Sequence, residues 1–189
     1  MGYNISGLVI NKNYKEYLTE LESILGEKLS FTKTVSFEEA SENWKEDDYC
    51  DIYYSKNGTL VFLSMERGGF EFYAKELDTF SFVLSEMSMT FGINVVKNGK
   101  LIRTIIESED NILQDIGEPL PIEKNEEDKS EIIYHLMENS LGKSFHDIDL
   151  EIKCYRYKFK TEESKSVDVL KVEKISKEKT ELKPWWKFW

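Results

Sequence analysis

An Asn-Gly pair set between two alternating apolar runs constrains this chain more than any other feature. Residues 88–96 and 101–106 are rich in β-formers, and Lys97-Asn98-Gly99-Lys100 joins them. A type I′ turn needs φ > 0 at both central residues, which Asn and Gly reach at little cost, so the pair specifies a tight antiparallel hairpin. Its alternation assigns Phe91, Ile93, Val95, Leu101 and Ile105 to one buried face.

The flanking segments extend this pattern. Residues 5–10 and 29–35 read as strands, and 49–55 and 59–65 as a second hairpin around Asn57-Gly58. Tyr14, Tyr17, Leu18, Leu21, Ile24 and Leu25 recur at helical spacing, with Gly26 where the chain must leave the helix. Ser36 and Glu39 form a capping box that opens a short helix to about Trp44. Residues 70–73 suit a strand or loop, and the spacing through Leu84 fits helix and strand alike. A loop is expected from the end of the first hairpin through Asp115. Asp128 or Ser130 then caps a helix bearing Ile132, Ile133, Leu136, Met137 and Leu141 and ended by Gly142. A short helical turn over 145–150 and an edge or late strand over 151–160 follow. The fold class is α+β: a mainly antiparallel sheet of hairpins with two or three helices packed on it and a flexible charged C-terminal tail. Residues 1–160 read as one domain. In 161–189 Lys, Glu, Ser and Thr dominate, and an aromatic segment follows with Trp185, Trp186, Phe188 and Trp189.

Charge narrows the function classes. With 36 acids against 25 Lys and Arg, the net charge of −11 disfavours nucleic acid, whose phosphates require clustered cations, and fits a basic protein partner. No run is long and apolar enough for a membrane span or a leader, so a cytoplasmic location is expected. Cys50 and Cys154 each sit in a strand-like run without metal-type spacing, and buried free thiols are favoured over a disulfide.

Candidate site residues lie in the acidic stretch 107–128, which holds nine carboxylates and one Lys. Glu107, Glu109, Asp110, Asp115, Glu118 and Glu123 form a candidate recognition face, and Trp185, Trp186, Phe188 and Trp189 a docking segment that needs a groove in this chain or a partner. The stretch lacks the spacing and the glycine of a calcium loop, and no cofactor motif occurs, so neither metal nor organic cofactor is expected. His146 beside Asp147 could serve as a general base, although neither a nucleophile nor an orienting group can be assigned to it, and carboxylate pairs such as Glu66 with Glu86 could in principle do acid–base work. His135 falls among the apolar positions of its helix.

Ser85-Glu86-Met87, Asn98-Gly99-Lys100-Leu101-Ile102-Arg103 and Gly117-Glu118-Pro119-Leu120-Pro121-Ile122-Glu123 together resemble small uncharacterised acidic bacterial proteins. Those proteins carry a Ser-Glu-Thr-like strand, a hairpin with an Arg, and a Gly-Glu-Pro-Leu-Pro-x-Glu loop before a helix; Met87 stands where they tend to have Thr. Some are similar to immunity proteins of bacterial toxin systems. The resemblance carries no activity with it; together with the acidic stretch, it favours the expectation of a non-enzymatic protein-binding module of immunity type, whose acidic face meets a basic partner. The alternatives are a small hydrolase-like enzyme using carboxylates or His146 and Asp147, and an adaptor docking through its aromatic tail.

Overall fold

The structure, a computed structural model, describes residues 3–42 and 45–160. The tail over 161–189, including Trp185, Trp186, Phe188 and Trp189, lies outside the described residues, as does Trp44. The strands are β1 (Asn4–Ile10), β2 (Lys28–Ser36), β3 (Tyr49–Tyr54), β4 (Thr59–Leu63), β5 (Thr79–Ser85), β6 (Thr90–Lys97), β7 (Lys100–Ser108), β8 (Asn111–Ile116) and β9 (Lys153–Lys160). They form one antiparallel sheet in the order β2-β9-β3-β4-β1-β5-β6-β7-β8. The helices are α1 (Leu18–Leu25), α2 (Phe37–Ala40), α3 (Met65–Gly68) and α4 (Lys129–Leu141), with 3₁₀ turns at Ile122–Lys124 and Phe145–Asp147. The α+β reading holds; the described residues contain four helices instead of two or three, the addition being the single-turn α3.

Both faces of the sheet are buried. On one, Val9, Phe62, Phe82 and Ile93 pack under α2 and α4. On the other, Leu8, Ile10, Ile52 and Val61 pack against Leu21 and Leu25 of α1. Burial on both faces explains why β4 reads as a continuous apolar run, while β5 alternates Phe80, Phe82 and Leu84 with the small buried residues Thr79, Ser81 and Ser85.

The Asn98-Gly99 turn forms as its residues require, with φ of 48° and 71°, and Lys97 pairs with Lys100. Phe91, Ile93, Val95 and Ile105 are buried on the face under α4. Leu101 is not on that face. A bulge sets Val95 opposite Arg103 but Val96 opposite Leu101, so the register slips and Leu101 crosses to the other side. The hairpin also lies toward one edge, with β1 at the sheet's centre. Gly99→Val forces a β-branched residue to φ of 71° and should cost about 1–3 kcal/mol. A urea-unfolding midpoint equal to the parent's would contradict the turn assignment.

The second hairpin forms around a different turn. Neither Asn57 nor Gly58 has positive φ; the Ser55 hydroxyl instead accepts the backbone N–H groups of Asn57 and Gly58 at 3.2 and 2.8 Å. Glycine is required there for space. A Cβ at position 58 would lie 2.6 Å from the Ser140 carbonyl oxygen and 2.8 Å from that of Ile10.

Several boundaries differ from expectation. Helix α1 begins at Leu18, because Tyr14 precedes it as a buried anchor whose N–H donates to Thr59 Oγ1 at 2.9 Å. The N-cap half of the box forms, the Ser36 side chain accepting Glu39 N–H at 3.1 Å, but the Glu39 carboxylate goes to Lys33 and Arg156, and α2 stops at Ala40. Residues 70–78 are irregular, held by Asn94 donating to the Gly69 carbonyl and Thr79 donating to the Phe72 carbonyl at 2.7 Å, before β5 begins. The expected loop through Asp115 contains β8. Strand β9 comes late in the chain but is internal, between β2 and β3.

Cys50 and Cys154 are free, buried and on opposite faces of the sheet. Burial pushes both thiols up, that of Cys154 to about 12. Since the thiolate is the reactive form, native protein should react with a thiol reagent at least about 100-fold more slowly than the urea-unfolded chain. Rapid labelling of either cysteine in native buffer would contradict this packing.

Candidate functional site

Arg103 organises the segment that carries the candidate carboxylates. It is 2% exposed, at the start of the buried part of β7. Its Nε donates to Glu123 Oε1 at 2.9 Å and its Nη2 to Glu123 Oε2 at 2.7 Å, a two-pronged contact matched to a planar guanidinium. Nη1 pairs with Asp115 and donates to the carbonyls of Ile116 and Gly117 at 3.3 and 3.2 Å. The hydrogen bonds to Glu123, ahead of those to Asp115, hold the guanidinium above its ordinary pKa against the opposing cost of burial.

Glu123 reaches this position because Pro119 and Pro121 stiffen the approach and the following 3₁₀ turn brings its carboxylate back. Its Oε1 also accepts the Leu120 N–H at 2.8 Å. Gly117 has φ of 86°, and a Cβ there would meet the Ile102 carbonyl oxygen at 2.1 Å, so the loop can lie against β7 only with glycine. The hairpin Arg and the Gly-Glu-Pro-Leu-Pro-x-Glu loop are therefore two halves of one staple.

The six candidate acids divide evenly. Asp115 and Glu123 pair with Arg103, and Glu107 with Lys129 at 3.1 Å. Glu109, Asp110 and Glu118 are exposed and meet no cation among the described residues. Glu109 and Asp110 form the two-residue turn between β7 and β8, both at positive φ, and Glu109 N–H donates to the Met89 carbonyl at 3.1 Å. That bond ties the turn to the neighbouring β5–β6 turn, where Met87 is 80% exposed and Met89 59%. Along β8 next to it, Ile112, Leu113 and Ile116 are exposed as well. These five exposed side chains make an apolar rim that runs from the β5–β6 turn along β8, with Glu86, Glu109 and Asp110 by its start and Glu118 beyond its end, and none of residues 109–118 is basic. Sequence reasoning missed the five apolar residues, having placed Met89 inside a strand and 112–116 in a loop.

No family model, curated protein or solved structure matches the chain.

The other candidates occupy plain surroundings. His135 is exposed on α4, away from the apolar stripe of that helix. His146 and Asp147 are both exposed, and the imidazole packs edge-on against Tyr134 with ring centroids 4.5 Å apart. A cleft of about 220 Å³ lies between β1, β4 and the chain after α2; its described lining includes Glu42, Lys45, Asp47 and Glu66 but no histidine. Ser64 Oγ, buried in that lining, has no hydrogen-bond partner among the described residues. Among the described residues no three His, Cys, Asp or Glu side chains converge as a metal site, and no helix is long and apolar enough to cross a membrane.

A second buried ion cluster lies under α2. Asp51, fully enclosed on β3, accepts Arg156 Nε and Nη2 at 2.8 Å each and pairs with Lys45. Arg156 reaches on to Glu39 at 2.9 Å, and Lys33 approaches the same carboxylate at 2.8 Å. The Lys33 hydrogen bond, followed by the charges of Arg156 and Lys33, holds Glu39 below the usual carboxylate range against its own desolvation. Every charged group here is used within the fold, so the cluster ties β3, β9 and α2 together and leaves little to offer a ligand.

Proposed function

We propose that this chain is a non-enzymatic protein-binding module of the immunity type, which occludes a basic surface of a bacterial toxin. The observation that carries the reading is the apolar rim of Met87, Met89, Ile112, Leu113 and Ile116 beside the uncompensated carboxylates Glu109, Asp110 and Glu118. Large exposed apolar side chains strung along the outer strand of a sheet and its adjoining turn are common anchors of an interface. Acids around them speed encounter with a cationic surface and reject acidic partners. The carboxylates paired with Arg103 and Lys129 take no part in contact; they hold the rim in shape.

The test uses the growth-inhibiting product of a gene adjacent to this protein's own. Coexpression of this chain should restore growth, and calorimetry should give an affinity that falls with added salt. Glu109→Lys/Asp110→Lys/Glu118→Lys should weaken binding by about 100-fold or more, since like charges then face each other, while the melting temperature stays within a few degrees. Binding undiminished by the triple reversal would count against the surface assigned here.

A further inference from the structure

Resting on that protein-binding reading, we propose that the partner docks by adding an extended basic strand to the outer edge of β8, continuing the sheet. Among the described residues the sheet has two outer strands, β2 and β8, with no neighbour on their far sides. Both contain a bulge, but they differ in charge. Strand β2 carries Lys28 and Lys33, the cations that commonly blunt an edge against pairing. Strand β8 carries no cation and exposes Ile112, Leu113 and Ile116.

Backbone geometry leaves that edge ready to pair. The turn at Glu109-Asp110 has two residues, and it closes Ser108 opposite Asn111 as a hydrogen-bonded pair. The next pair, Glu107 opposite Ile112, is then the non-hydrogen-bonded kind, and the N–H and C=O of Ile112 point away from β7. An incoming strand would satisfy these groups, and its side chains would alternate between the two faces of the extended sheet.

Charge identifies the strand. Glu109 and Asp110 stand at one end of β8 and Glu118 beyond the other. A strand with Lys or Arg near both ends and β-branched residues between meets a carboxylate at each terminus. A second copy of this chain meets the opposite: with Asn111 facing Ile116 in an antiparallel pair, Glu109 faces Glu118 twice, and like charges directly opposed are unfavourable.

The experiment selects displayed peptides of about ten residues, strand length, against the full chain. Selected sequences should carry the basic-ended, β-branched pattern. Ile112→Pro removes the outward N–H without changing charge, and edge positions tolerate proline in the fold. It should weaken the best peptide by roughly tenfold or more in fluorescence anisotropy at near-parental melting temperature. Leu113→Lys, an edge cation, should do the same and decides the matter if the proline variant unfolds. Peptides that keep their affinity for both variants overturn strand addition. If they are still lost to Glu109→Lys/Asp110→Lys/Glu118→Lys, the binding surface stands and only the strand mechanism falls. If that variant binds normally too, or no peptide is selected, both proposals fall. A dimer dissolved by Ile112→Pro would assign the edge to a second copy and overturn the proposal as well.

Discussion

Arg103→Met should destabilise the fold by about 3–5 kcal/mol, a large part of the 5–15 kcal/mol available to a domain of this size. The substitution removes the only side-chain cation on Glu123 among the described residues; that carboxylate is 9% exposed and cannot recover its charge solvation from water. Asp115, at 49% exposed, rehydrates and adds little to the loss. Glu123→Gln should cost less than Arg103→Met, because the amide still offers an acceptor to Arg103 and to the Leu120 N–H. The double variant Arg103→Met/Glu123→Leu should regain part of the loss, as apolar pairs commonly replace buried ion pairs without penalty. Urea unfolding of the four proteins gives the comparison. A loss below about 1 kcal/mol for Arg103→Met would show that the staple is not structural.

The second large effect is expected at Asp51. Asp51→Ala leaves Lys45, 7% exposed, beside Arg156 with no carboxylate between them, and should also cost about 3–5 kcal/mol. Glu39→Gln, at the open rim of the same cluster, should cost under about 1 kcal/mol. Equal effects at the two positions would mean that water reaches Asp51 and that the cluster is a surface network.

How much of this could be read beforehand depended on how local the cause was. The Asn98-Gly99 turn, the Ser36 and Asp128 caps and the Gly26 and Gly142 ends each depend on a few consecutive residues, and all formed. Asn57-Gly58 has the same letters as Asn98-Gly99, but its glycine answers to carbonyls of Ile10 and Ser140, distant in the chain. Strand β8 was read as loop because Asn111, Gln114 and Asp115 are poor β-formers, and its turn uses Glu109 and Asp110 at positive φ, where Asn-Gly would be the recognisable signal. Strand β9 resembled an edge because charges alternate with its apolar residues. In the sheet, two of those charges are used by neighbours: Arg156 by Asp51, and Lys158 by Asp48 at 2.9 Å.

The candidate site followed the same division. The acidic stretch was visible as composition, but its separation into staple and rim was not. Only the fold brings Arg103 to Glu123 and Lys129 to Glu107, so six carboxylates looked equivalent when three were already committed. The five apolar residues of the rim are separated in sequence; a hydrogen bond between the β5–β6 and β7–β8 turns brings Met87 and Met89 to the start of β8, along which the other three lie.

The place of β9 has a consequence for synthesis on the ribosome. Among the described residues strand β2 pairs with β9 alone, Lys28 meeting Lys160 and Ser36 meeting Lys153. The bond from Arg156 to Glu39 spans 117 residues. At about 5–20 residues per second, β2 emerges and waits on the order of ten seconds before its only neighbour is made. During that interval the nascent chain exposes the backbone edges of β2 and β3 together with Phe31 and Tyr49. Lys28 and Lys33 on β2 and the acids Glu46, Asp47 and Asp48 just before β3 are placed to keep those edges from joining other nascent chains.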